Sequence, residues 1–372
     1  MEVMPCQYQL LHEALSGYLK TGIPLVAYDG SVLKPAGVGD DIGIYYFIPK
    51  ITYTLGISID QCLKMFFVSI ILVSLFLGIF GYFLLIKKPG TRWVGIVEVI
   101  VLACGSYFHL EGVYIILFSI TIAIIPLFLY LSKGQRFSLS FAIFLLLSGL
   151  AIGVANYLRS HAGTGVLIFM VMILVFYVRI KWKQKLFLLM LLITTVLTSI
   201  IYFETLMNRR DVYLTNHDPS YKSAPRRHVL WHSAYIGFGF LNNEYGIKYK
   251  DEVAMEKVCS IAPKTTYLSQ DYEEILRHEV FKLIEAHPLF TVQTMFAKLG
   301  VILFYLLLFG NVGLIAVALR KIEWPLQIAF GSAMIFNSLF GIIATPDYRY
   351  LMGFISFATL WGIITFDEAI RA

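Results

Sequence analysis

The sequence predicts an all-α polytopic membrane protein of about nine transmembrane helices, with a small exoplasmic domain between the sixth and the seventh. Three observations lead there. Of 372 residues, 58% are hydrophobic and only 15% charged, against roughly a quarter charged in ordinary globular domains, and mean hydropathy is +0.73. The apolar residues gather in runs of about 16 to 22, the length that crosses a bilayer at about 1.5 Å rise per residue. The basic residues cluster in the short stretches between those runs. A net charge of +6 and a pI near 8.9 would point to nucleic acid in a soluble chain, but this placement sets orientation and implies no nucleic acid partner.

Taken in order, the spans fall at 65–86, 93–108, 113–131, 138–157, 164–179 and 186–203, then at 298–319, 324–344 and 349–366. The chain thus divides into a first loop (1–64), six helices (65–203), an ectodomain (204–297), and three helices with a tail (298–372). Lys87, Lys88 and Arg92, then Lys133 and Arg136, then Arg179, Lys181, Lys183 and Lys185, and finally Arg320 and Lys321 share one side. By the positive-inside rule that side is cytoplasmic. The exoplasmic side receives residues 1–64, the turns 109–112 and 159–163, the segment 204–297 and the turn 346–349. With 11 Lys or Arg against 12 Asp or Glu, residues 204–297 are near neutral and read as a small folded ectodomain, which translocates whatever its charge.

An outside location for residues 1–64 conflicts with the absence of an apolar span before residue 65. Either later helices carry the tail across, or a first helix upstream of Met1 is missing; the second restores a ten-span chain and is the expectation taken forward. Within the ectodomain, Ser269 is an N-cap, acids follow in the first turn, apolar residues recur at 272, 276, 280 and 283/284, and Pro288 ends the run. This is an amphipathic helix that lies on the membrane surface or packs on the ectodomain.

Cys6, Cys62, Cys104 and Cys259 form no C-x-x-C pair; unpaired thiols are expected, with a Cys6–Cys62 or Cys62–Cys259 bridge as the alternatives. There is no P-loop, and the doublets Gly37-Val-Gly39 and Gly237-Phe-Gly239 lack a dinucleotide fingerprint. Nothing in the chain offers ATP, NAD or a nucleotide-sugar a Rossmann-type site. No Asn-x-Ser/Thr sequon occurs, which favours a bacterial inner membrane.

The chemistry-bearing residues gather on the outer side. Asp40 and Asp41 are adjacent in the first loop, where a carboxylate can act as general base on a hydroxyl or a pair can hold a divalent metal such as Mg or Mn. The bland alternative makes Asp40 the cap of a helix that begins at Asp41. His109 and Glu111 occupy one outer turn, Arg159 and His161 another, Arg209 and Arg210 follow the sixth span, and Asp347 and Arg349 open the last. Arginine presents a planar fork of donors that matches a phosphate, so these residues point to an anionic lipid headgroup; snorkelling to the interface is the alternative for any one of them. Tyr45, Tyr46, Trp231 and Tyr235 are candidates to stack on sugar faces, or belong to an interfacial aromatic belt.

These motifs resemble the GT-C superfamily of integral-membrane glycosyltransferases, in its bacterial group related to protein mannosyltransferases and lipid A aminoarabinose transferases. The stretch Gly39-Asp-Asp-Ile-Gly-Ile-Tyr-Tyr46 is similar to that family's acidic first loop, Glu111 stands where it often has a second acid, and Pro346-Asp-Tyr-Arg-Tyr-Leu351 looks like its Pro-Arg-Tyr-Leu element with two residues inserted. The resemblance implies transfer of a sugar from a polyprenyl-phosphate donor to a hydroxyl of a glycan, lipid or protein acceptor on the periplasmic or extracellular face, with inversion. It implies Asp40 or Asp41 as base, and Arg159, His161, Arg209, Arg210 and Arg349 around the departing phosphate. An O-antigen polymerase or ligase, resting on Arg159, His161, Arg209 and His232, is the rival reading. A transporter or flippase is a third, and the lack of internal repeats argues against it.

Overall fold

The computed structural model describes residues 5–37, 41–110, 112–134, 137–221, 230–320 and 323–371. Helix α1 (Pro5–Thr21), a two-stranded antiparallel hairpin of β1 (Val26–Tyr28) and β2 (Leu33–Pro35), and α2 (Ile42–Leu55) form an N-terminal layer. The hairpin turn is closed by Asp29, whose Oδ1 accepts from the backbone N–H groups of Ser31 and Val32 and from the Ser31 hydroxyl. Those donors favour the ionised form and hold the carboxyl below its ordinary range.

The bundle follows: α3 (Ile59–Leu85), α4 (Pro89–His109), a single 3₁₀ turn leading into α5 (Ile115–Lys133), α6 (Leu139–Leu158), α7 (Thr164–Met172) continued by a π turn to Tyr177, and α8 (Trp182–His217). Helix α3 begins six residues before the expected 65 because Ser58 and Gln61 form a capping box, Ser58 Oγ accepting from Gln61 N and Gln61 Oε1 accepting from Ser58 N. Helix α8 runs past the expected 203 because no Gly or Pro interrupts it before Pro219. At 36 residues it is about 54 Å long, well beyond the hydrocarbon thickness.

Three short helices, α9 (Leu230–Gly237), α10 (Asp251–Ile261) and α11 (Gln270–Ala286), enclose a second core of their own around Tyr235, Ile236, Phe238, Val258, Tyr272 and Leu276. The amphipathic helix expected after Ser269 is α11, with the Ser269 hydroxyl accepting from Tyr272 N, and its apolar face packs on this small domain. The chain returns through α12 (Pro288–Phe309), α13 (Asn311–Leu319), α14 (Trp324–Ile343) and α15 (Met352–Ala369). One expected span, 298–319, is therefore two helices broken at Gly310, where a Cβ would lie 2.9 Å from Leu306 O and 3.2 Å from the Trp361 ring.

Among the described residues seven helical segments are long and apolar enough to cross a membrane: α3, α4, Gly112–Lys133, α6, α8, α12 and α14. They make this an all-α polytopic membrane protein. The other two expected spans are the shorter Thr164–Tyr177 and α15, whose last turns carry Asp367 and Glu368. The spanning helices expose large apolar side chains, such as Phe76 (69%), Ile335 (67%) and Leu307 (61%), as a hydrocarbon-facing surface must. Helices α5 and α15 are instead buried almost throughout and form the centre. Between α6 and α8 the contact uses small residues: a Cβ on Gly149 or Gly153 would meet Thr195 or Ser199 within 2.4 Å, so these backbones approach closely as membrane helices do.

Candidate functional site

The end of the bundle beside the small domain gathers polar residues from five elements. Gly43, in the first turn of α2, lies against the end of α6, where a Cβ would meet Tyr157 O at 2.8 Å and Leu158 N at 2.9 Å. That approach sets Asp41 beside Arg159. Asp41 occupies the N-cap position of α2 in the left-handed region (φ 55°, ψ 33°) and makes no capping hydrogen bond. The helix thus starts at Ile42, one residue later than the capping alternative required, and the carboxylate turns instead to Arg159. Arg159 Nη1 donates to Asp41 Oδ1 (3.3 Å) and Oδ2 (3.2 Å), and both residues are buried, at 8% and 5% exposure. His161, across the same turn, is also left-handed (φ 63°). Such a backbone costs of order 1–3 kcal/mol and concentrates at functional sites.

The Arg159 guanidinium lies over the ring of Tyr114, 4.5 Å from its centroid, and 5.9 Å from that of Tyr350. The Tyr249 hydroxyl donates to the Tyr350 hydroxyl at 3.3 Å, which ties the small domain to this cluster; burial pushes the Tyr249 phenol above its ordinary pKa. Arg159 also lines a cavity of about 310 Å³, whose polar lining is Arg159, Ser160, His161, Asn337 and Tyr350 and whose apolar wall includes Phe336, Phe340 and Ile343 of α14. An arginine lining an apolar-walled cavity can hold an anion whose remainder is hydrocarbon. In low dielectric the Asp41–Arg159 attraction is strong, so a second anion reaching Arg159 competes directly with Asp41.

Of the other residues expected at the site, Asp40 and Glu111 lie outside the described residues. His109 is exposed, and its carbonyl accepts from the Tyr348 hydroxyl at 2.6 Å, pinning the loop before α15 to the end of α4. Arg349 is gripped by Asp347, with Nε 3.0 Å from Oδ1 and Nη2 3.4 Å from Oδ2. Arg209 is exposed on α8, whereas Arg210 is buried, its Nε donating to Asp211 Oδ1 at 2.8 Å. None of the four aromatic candidates lines the cavity. Tyr45 covers Gly37, and Tyr46 shares a hydrogen bond with the Tyr202 hydroxyl and accepts from Lys50 Nζ. Trp231 packs at a tilt against Phe281, and Tyr235 belongs to the core of the small domain. Among the described residues no group of three or more His, Cys, Asp or Glu is placed to hold a metal. Cys62, Cys104 and Cys259 are free thiols.

Several site residues carry no plain sequence signal. Tyr114 carries none, and Tyr350 belongs to the Pro346–Leu351 motif, from which only Arg349 is expected at the site. Asn337 is one of several polar residues in α14, with Gln327, Ser332 and Ser338, and it fits because Gly165 and Gly353 face it, a Cβ on either coming within 2.3 Å of its amide. Lys298 did have a signal, as the one cation in α12. It is 1% exposed and donates to Ile342 O (2.9 Å) and Ile343 O (3.2 Å), satisfying the end of α14 beside the cavity. In the small domain, His232 bridges the Tyr272 hydroxyl (2.8 Å) and Asp251 (3.0 Å), and Glu273 accepts from Trp231 N and His232 N at the start of α9. No family model, no curated protein and no solved structure matches the chain.

Proposed function

We propose that the protein transfers a sugar from a polyprenyl-phosphate donor to a hydroxyl of a glycan, lipid or protein acceptor, on the outer face of a bacterial inner membrane. The observation that carries this reading is that Arg159 both lines the cavity and holds Asp41. The donor phosphate binds Arg159, with His161 and Asn337 beside it, and its hydrocarbon lies along the α14 wall. With Arg159 shared by the donor phosphate, the Asp41 carboxylate takes the proton from the acceptor hydroxyl. The hydroxyl oxygen attacks the anomeric carbon, the bond from that carbon to the phosphate oxygen breaks, and its electron pair remains on the polyprenyl phosphate, where Arg159 stabilises it. Attack opposite the leaving group inverts the anomeric centre. In this reading the chain crosses nine times, with Thr164–Tyr177 and α15 as the two sheltered crossings, and the basic residues of the opposite loops support an outer location for the Arg159 end, the small domain and residues 1–64.

Purified protein in proteoliposomes, given a polyprenyl phosphate carrying a labelled sugar, forms a labelled glycoside and releases the carrier. Label that crosses the membrane without forming that bond contradicts the proposal and identifies a transporter. The polymerase or ligase reading is favoured by one observation, that Arg159 and His161 share the cavity, while Arg209 is exposed outside its lining and His232 is buried in the small domain. It requires His161→Ala to abolish transfer and Asp41→Asn to leave it intact. The proposal requires Asp41→Asn to carry the larger loss.

A further inference from the structure

At the end of the bundle opposite Arg159, the C-terminal ends of α3, α5 and α15 meet the residue that caps α6. Between them is a cavity of about 440 Å³. Its polar lining is Lys87, Lys133 and Arg371 with Tyr130 and Ser138, and Leu84, Leu85 and Leu131 form an apolar flank. Three cations and no acid line it among the described residues. The acids stand behind the wall. Glu368, its side chain 15% exposed, is 3.2 Å from Lys133 Nζ, and Asp367, with no exposure at all, is 2.9 Å from Arg371 Nη2. Those pairs fix Lys133 and Arg371 in direction, while Lys87 is exposed and forms no ion pair among the described residues.

Orientation in the bilayer needs basic residues only near this end and gives no reason for them to converge. Snorkelling spreads such side chains outward around a bundle. Convergence on one recess, with hydroxyls beside the cations and leucines along one flank, is what a phosphate attached to hydrocarbon chains requires. We propose that this cavity binds the headgroup phosphate of an anionic phospholipid, with an acyl chain lying on Leu84, Leu85 and Leu131. This site is independent of the transfer chemistry at the other end.

The test is the unfolding midpoint of the full chain in neutral detergent, titrated with phosphatidylglycerol, with phosphatidylcholine of the same acyl chains, and with water-soluble glycerol phosphate. Phosphatidylglycerol raises the midpoint saturably, and the other two do not. Lys87→Gln and Lys133→Gln each weaken the half-saturating concentration about fivefold, the ratio that ~1 kcal/mol per basic residue at an anionic surface gives. Lys64→Gln at the opposite end leaves it unchanged. Each shift is read against that variant's own midpoint, so a stability change at Lys133 does not enter, and Lys87, being exposed, provides a variant that folds. No shift with phosphatidylglycerol, or an equal shift in the wild type and in Lys87→Gln, overturns the proposal. An equal shift with glycerol phosphate also overturns it, by showing that the site takes a free phosphate.

Discussion

Asp41 and Arg159, 118 positions apart, carry opposite charges into a place where either alone is costly. Removing one partner of a buried pair costs about 3–5 kcal/mol, whereas replacing both by neutral groups of similar volume costs far less. Arg159→Ala is therefore expected to lower the unfolding midpoint more than the double variant Asp41→Asn/Arg159→Met, in a denaturation series in detergent. Gly43→Ala should act on the same pair from a distance. Its Cβ meets the Tyr157 and Leu158 backbone within 3 Å, so α2 must shift from α6, with a stability loss of about 1–3 kcal/mol. Each charged residue of the pair was legible in the sequence, one as half of an Asp-Asp doublet and the other as an arginine at an outer turn. Their partnership was not, because nothing local encodes a contact between a helix start and a helix end so far apart. Asn337 was hidden for the same reason, since the glycines that admit it belong to α7 and α15.

At the scale of elements, local signals worked where the sequence had periodicity or a cap. The apolar spacing after Ser269 located α11, whereas the expected start of α3 at 65 was late because the Ser58–Gln61 box caps the helix six residues earlier. The break at Gly310 has a local signal in the Gly310-Asn311 pair, which the long apolar run around it masks, and Trp361, far along the chain, shows why the backbone comes close there. Polar links within the small domain make a testable case. The hydrogen bond from His232 holds the Asp251 carboxyl below its ordinary range. Its stabilisation is present above the unfolded pKa of about 3.9 and is lost as pH falls through the lowered folded value. Amide protection across α9–α11, relative to intrinsic exchange rates, is expected to fall selectively below about pH 4, and Asp251→Ala to show that lower protection already at neutral pH.

For the whole molecule, composition and hydropathy gave the class, and seven segments meet the length and hydropathy of a span among the described residues. The two remaining expected spans differ in kind: Thr164–Tyr177 is short, and α15 is so enclosed that it keeps Asp367 at no exposure. A central helix can carry polar residues that a lipid-facing one cannot, so hydropathy alone ranks it low. The proposed orientation places the extension of α8 outside and the α3–α4 turn inside. In intact cells, with native cysteines replaced by serine, Asp218→Cys should react with a membrane-impermeant maleimide and Lys87→Cys should not; the reverse pattern inverts the protein. Most directly, the central claim is tested by single-turnover sugar transfer from polyprenyl phosphate by wild type and Asp41→Asn, both verified as folded. The account predicts transfer by the wild type and a loss of about 10²–10⁴-fold in the variant. Equal rates in the two, or no transfer by the wild type, contradict it.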